Sequence, residues 1–233
     1  MEAGPPRLIL FDIDQTLISS AGAGVRALNS AFQQEIGISN ALEGIRCDGK
    51  LDTAIIKEVL ERQGDVAHPE LAHSVLGRYL ECLSVEMDQT REGHIKPGIC
   101  TLLDLLHQSG SSLGLLTGNV RQGALIKLRH FALDSYFPIG AFGDDAEERW
   151  QLVPIAKARA EKHYRASFPP NLVFVIGDSP RDIECCRPSG AVSIAVATGS
   201  SSLETLATFQ PDYLFPDCSE VECIFQTIMA HGD

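Results

Sequence analysis

The stretch "RLILFDIDQTLISS", residues 7–20, runs the apolar residues Leu8 to Phe11 straight into two aspartates, Asp12 and Asp14, with only Ile13 between them. A short, continuously apolar run ended by polar residues reads as a buried strand. One aspartate suffices to shape a turn by bonding its own backbone. Two like charges at the end of a buried strand need a further reason, and the rest of the chain supplies it.

Further strands are predicted at 112–116, 138–142, 171–176, 191–196 and 212–215, with helices at 97–109, 120–131, 148–166, 180–187, 201–208 and 218–230 between and after them. Strands that are apolar throughout and alternate with helices indicate a parallel sheet covered on both faces. The expected fold is therefore a doubly wound, Rossmann-like α/β core. Residues 19–92 break this rhythm, because only helices are predicted there, at 24–36, 51–63 and 69–89. Flanked by "SSAGAG" (19–24) and "REGHIKPG" (91–98), this block reads as an insertion. The division is a core of 1–18 and 93–233, with an insert of 19–92.

Ligands of open parallel sheets collect at the carboxyl ends of the strands. After the first strand come Asp12, Asp14 and Thr16. After the second come Thr117, Gly118 and Asn119, and after the fourth come Gly177, Asp178, Ser179 and Asp182. Converging carboxylates repel one another unless a cation joins them, and hard oxygen donors select magnesium. With charge neutralised, Asp12 is placed to attack phosphorus and to hold the metal. Asp14 can protonate the departing oxygen and later deprotonate water. Thr117, with the Gly118 and Asn119 amides at the start of the next helix, offers donors to phosphate oxygens. A fixed cation is also needed, and Arg149 or Lys157 can supply it.

The ordered motifs "DIDQT", "LLTGN", a basic residue on the following helix and "GDSPRD" resemble those of the haloacid dehalogenase-like hydrolase superfamily over essentially the whole chain. The insert resembles the small α-helical cap of its phosphoglycolate phosphatase-like branch. The resemblance implies Asp12 as nucleophile, Asp14 as acid and base, Thr117 as phosphate binder, and Asp178 with Asp182 as magnesium ligands. The Asp14 backbone carbonyl would complete that set. The implied reaction is magnesium-dependent hydrolysis of a small phosphorylated metabolite, phosphoglycolate-like or a sugar phosphate, through an aspartyl-phosphate. Rivals are a phosphomutase of the same fold and a phospho-accepting signalling module. Two positions depart from the family pattern. Gln15 stands where glycine is usual, and Arg149, followed by Trp150, stands where Lys-Pro is common. Arginine keeps the charge and grips phosphate with a fork, which puts it ahead of Lys157.

Other features read more simply. Lys50, in the turn "CDGKLD" (47–52), is a candidate to reach substrate from the insert, with Arg46 a weaker one. Ser179, Pro180 and Asp182 also fit an ordinary helix start, as does Asn119. "GAGVRA" (22–27) starts eleven positions beyond Phe11, too far from the strand for a dinucleotide fingerprint. Asp144 and Asp145 read as the beginning of a helix, and the histidines show no ligand spacing. The net charge of −12 argues against nucleic-acid and anionic-membrane partners. No apolar stretch is long enough for a signal peptide or a bilayer span. The seven cysteines form no CxxC pair and read as reduced thiols, which makes the cytoplasm the expected compartment. Monomer and homodimer both remain open.

Overall fold

A computed structural model describes residues 5–64 and 69–232. Residues 1–4, 65–68 and 233, which the sequence division also covers, lie outside the described residues. In chain order, strand β1 (Leu8–Phe11) is followed by the two-residue β2 (Ile18–Ser19), then helices α1 (Ala23–Ile36), α2 (Asp52–Arg62) and α3 (Pro69–Gln89). The chain returns through β3 (His94–Ile95) to α4 (Ile99–Gln108), β4 (Ser112–Leu116), α5 (Arg121–His130) and β5 (Gly140–Ala141). A 3-10 turn at Arg149–Gln151 leads into α6 (Leu152–Tyr164). The remaining elements are β6 (Val173–Gly177), α7 (Pro180–Glu184), β7 (Val192–Val196), α8 (Leu203–Thr208), β8 (Tyr213–Phe215) and α9 (Val221–Ala230).

Six strands form one sheet in the order β5-β4-β1-β6-β7-β8, every pairing parallel. Alternate residues of the central strands face opposite layers, as the pleat requires. Ile9, Phe11, Leu113, Leu115, Phe174 and Ile176 pack in one cluster with residues of α4, α5 and α9. Leu8, Leu10, Leu116, Val173 and Val175 pack in another with Leu152, Val153, Ala156 and Ala160 of α6. Burial on both faces explains why these strands are apolar at every position.

β1 lies at the centre, and the chain leaves it toward β4 on one side and β6 on the other. Phe11 is in register with both Leu115 and Ile176. Asp12, Thr117 and Asp178 therefore emerge side by side at the point where the winding reverses, the usual ligand crevice of such sheets.

Helices α1 to α3 form a further layer, whose apolar cluster, built around Phe32, Ile56, Val59, Tyr79 and Leu83, also takes in Val120 ahead of α5. The two crossings between this layer and the sheet are paired to each other. β2 and β3 run antiparallel, with Ile18 opposite Ile95 and Ser19 opposite His94. The sequence reading missed this ribbon, since two residues per strand give no periodicity to detect.

Two other expectations need correction. The helix expected from residue 120 begins at Arg121 with Val120 as its N-cap, so the Gly118 and Asn119 amides do not open it, and Asn119 is not its cap. Asp144 and Asp145 sit in a loop ahead of the Arg149 turn and do not begin a helix; there they brace backbone. Asp144 accepts the Arg121 N–H at 2.9 Å, and Asp145 accepts the Phe142 N–H at 2.9 Å and pairs with Arg159.

Candidate active site

Asp12, Asp178 and Asp182 are buried and each can offer a carboxylate oxygen, all within 4.8 Å of one another. Local sequence makes room for them. A side chain at Gly199 would place its Cβ 1.7 Å from Asp178 Oδ2, so only glycine fits there. Asp182 does two things at once. At the third position of α7 it accepts the Ser179 N–H at 3.0 Å, the ordinary helix-start bond, while its other oxygen takes Arg149. The Thr16 hydroxyl donates to Asp178 at 3.2 Å.

Three acids share this buried space with one guanidinium. Arg149 Nη2 pairs with Asp182 and lies 3.2 Å from Asp12 Oδ1. Burial still pushes Asp12 up to about 7 against the pull of Arg149, with the Asp182 and Asp14 charges adding to the rise. Burial, Asp182 and Asp12 likewise raise Asp178 well above the usual carboxylate range. Hard oxygen donors with this excess of negative charge suit a divalent cation of the magnesium type. Arg149 is buried and held in its charged form, whereas Lys157 pairs with Glu161 at 2.6 Å on the far part of α6. Of the two, Arg149 is thus the one that lies with the three acids. Its Nε is the one buried side-chain nitrogen or oxygen among the described residues without a hydrogen-bond partner.

Asp14 turns its side chain away from the three acids. Its carboxylate accepts Lys127 Nζ at 2.5 Å, Asn119 Nδ2 at 2.8 Å and the Ser20 hydroxyl at 3.2 Å. Burial alone would raise its pKa, but Lys127, Asn119 and Ser20 together outweigh that and hold it below the ordinary value. Asn119 also donates to Thr117 Oγ1 at 2.9 Å and accepts from Lys127 at 2.6 Å. The Thr117 hydroxyl in turn bonds Asp12. Lys127 was not foreseen. Its signal is a lysine among the buried residues Gly123, Ala124 and Leu128 of α5.

The turn carrying "CDGKLD" closes over this site. The Asp52 N–H donates to the Gly118 carbonyl at 2.8 Å, Val120 N–H to Asp52 Oδ2 at 3.0 Å, and the Thr53 hydroxyl to the Gly143 carbonyl at 2.9 Å. Arg149 Nη1 reaches the Gly49 carbonyl at 3.1 Å. Contact is tight enough that a Cβ on Gly118 would fall 2.0 Å from the Lys50 carbonyl oxygen. Lys50 borders the resulting cavity, but its ammonium pairs with Glu58 of α2; Arg46 is exposed and stands outside the cavity wall. Gln15, bordering the same cavity, has φ of 63°, a left-handed conformation that glycine adopts without strain.

The profile of the haloacid dehalogenase-like hydrolase family matches residues 9–196, and the chain belongs to that family. It is 26% identical over 215 residues to a phosphoglycolate phosphatase of Synechococcus elongatus, covering 91% of this chain and 94% of that one. It is 24% identical over 218 residues to the pyrophosphatase PpaX of Anoxybacillus flavithermus, covering 91% and 94%. Among solved structures, a hydrolase from Pseudomonas syringae superposes with a TM-score of 0.73 at 21% identity, over 95% of this chain and 99% of that one. Among the described residues no helix is long and apolar enough to cross a membrane.

Proposed function

We propose that the protein is a magnesium-dependent phosphatase that hydrolyses a monoester of a small metabolite through an aspartyl-phosphate on Asp12. The observation that carries this reading is the meeting of Asp12 with Asp178, Asp182, Arg149 and Thr117 at the sheet's reversal point, in a chain of this family. Asp12, Asp178 and Asp182 would hold the magnesium, with the Asp14 carbonyl. The ion would neutralise the acids and polarise the phosphoryl oxygens.

Asp12 attacks phosphorus, and the bond to the leaving oxygen breaks as that oxygen takes a proton from Asp14. Arg149 and Thr117, with the Gly118 and Asn119 amides, steady the phosphoryl oxygens. Water then attacks the aspartyl-phosphate, giving its proton to Asp14 and releasing phosphate. Asp14 as held by Lys127 is in the base form that this second half requires. A substrate arriving as the monoanion passes its proton to Asp14, which delivers it to the leaving oxygen, and the proton that Asp14 later takes from water leaves with the phosphate. Residues 19–92 act as the cap over a core of 1–18 and 93–233, supported by the apolar cluster of α1 to α3. The free thiols of all seven cysteines support the cytoplasm as its compartment.

The test is Asp12→Asn, assayed for phosphate release from a generic ester with magnesium present. Loss of at least about a thousandfold in kcat is expected for removal of a nucleophile. Full retention of activity would sink the reading.

A further inference from the structure

The cavity over the strand ends, roughly 190 Å³, is enclosed on one side by the acids and on the other by the helical layer. On that outer side Val25, Leu28, Leu42 and Ile55 form an apolar patch beside Asp48, Lys50 and Asp52. The Tyr79 hydroxyl, also on this side, bonds Asp52. Only three cationic side chains border the cavity among the described residues, and each already faces a carboxylate. Arg149 serves Asp182 and Asp12, Lys127 serves Asp14, and Lys50 serves Glu58. Five aspartates border the same space, namely Asp12, Asp14, Asp48, Asp52 and Asp178. A divalent cation would only balance the two sets, before the phosphate brings its own charge.

From this we infer that the substrate's leaving group is an uncharged alcohol with an apolar face, carrying neither a carboxylate nor a second phosphate. The inference rests on the phosphatase reading and narrows its substrate. An anionic leaving group would enter a space where every cation is already paired, and an unpaired charge out of water is strongly disfavoured. Phosphoglycolate departs as a carboxylated alcohol and pyrophosphate departs as phosphate, so both fall outside the class. The same reasoning excludes a mutase, which must hold a molecule bearing two phosphates while the phosphoryl group moves. The apolar patch gives a neutral aryl, alkyl or polyol group a surface to cover.

The experiment measures kcat/KM with magnesium for two matched pairs. These are 2-hydroxyethyl phosphate against 2-phosphoglycolate, and phenyl phosphate against 4-carboxyphenyl phosphate. The neutral member of each pair is expected to be favoured by about tenfold or more, the scale at which a site rejects a group it leaves unpaired. Equal or better turnover of the carboxylated members overturns the inference and leaves the phosphatase reading standing. Release of phosphate from none of these esters overturns the phosphatase reading, and the inference with it. Glu58→Gln supplies a second readout, because it frees Lys50 without altering a residue of the catalytic site. It is expected to raise kcat/KM for the carboxylated esters by about fivefold and to change the neutral ones by less than about twofold. No gain with the carboxylated esters counts against the electrostatic account.

Discussion

Lys127 brings an ammonium group into the protein interior and sets it 2.5 Å from Asp14 and 2.6 Å from Asn119. It thereby ties the side chain proposed as acid and base to the amide that also orients Thr117. Lys127→Met keeps the volume and removes the charge, so the Asp14 carboxyl rises toward the value that burial alone dictates. The base form is then reached only at higher pH. The acid limb of the kcat–pH profile is expected to move upward, with kcat at neutral pH falling about tenfold to a hundredfold and KM nearly unchanged. An unmoved acid limb, in a variant with wild-type circular dichroism, would assign Lys127 a purely structural part. At this scale the sequence was readable where chemistry is tied to strand ends, as with Asp12, Thr117 and Asp178. Reading failed where a side chain reaches in from a helix face. Lys127 lies on α5, ten residues beyond Thr117, and only three-dimensional packing brings it to Asp14.

The N-terminus of α2 grips the β4–α5 loop through the Asp52 contacts and the segment after β5 through Thr53, and this clasp depends on the bare backbone of Gly118. Gly118→Ala is expected to hold the helical layer away from the sheet, because the added carbon and the Lys50 carbonyl cannot occupy one place. The buried residues of its cluster other than Val120 all belong to the layer, so the melting temperature should change by only a few degrees. Catalytic efficiency should fall by about tenfold or more as water enters the site. Unaltered kcat/KM would show that closure is not needed. Elements themselves were legible wherever they were long or wholly apolar. The three helices of the insert and the five-residue strands β4, β6 and β7 came from periodicity and burial. Missing were the start of α5, off by a residue with consequences for Asn119, and the β2–β3 ribbon, whose four residues follow from closure of the chain and not from local preference.

For the molecule as a whole, the acids around the cavity make stability depend on pH. Burial raises Asp12 to about 7 and, with Lys127 opposing, half-buried Asp52 to about 6, both above their value of 3.8 in an unfolded chain. Between those values the unfolded chain has released protons that the native protein still binds, so these groups make stability fall as pH rises from about 4 to about 7, and level off above. The contribution is on the order of a few kcal/mol. Magnesium held by the deprotonated carboxylates, as proposed, would reverse that loss. The difference in melting temperature between magnesium and EDTA is accordingly expected to be several degrees larger at pH 8 than at pH 5. A difference that does not change with pH would remove the three acids as the metal's home. Finally, Ser19 and His94 face each other across the β2–β3 ribbon, as cross-strand partners only about 5 Å apart. A tight hairpin turn would bridge that gap, so the chain enters and leaves the helical layer through one narrow doorway. Length or sequence can change beyond that doorway without shifting the register of the strands that carry Asp12, Thr117 and Asp178.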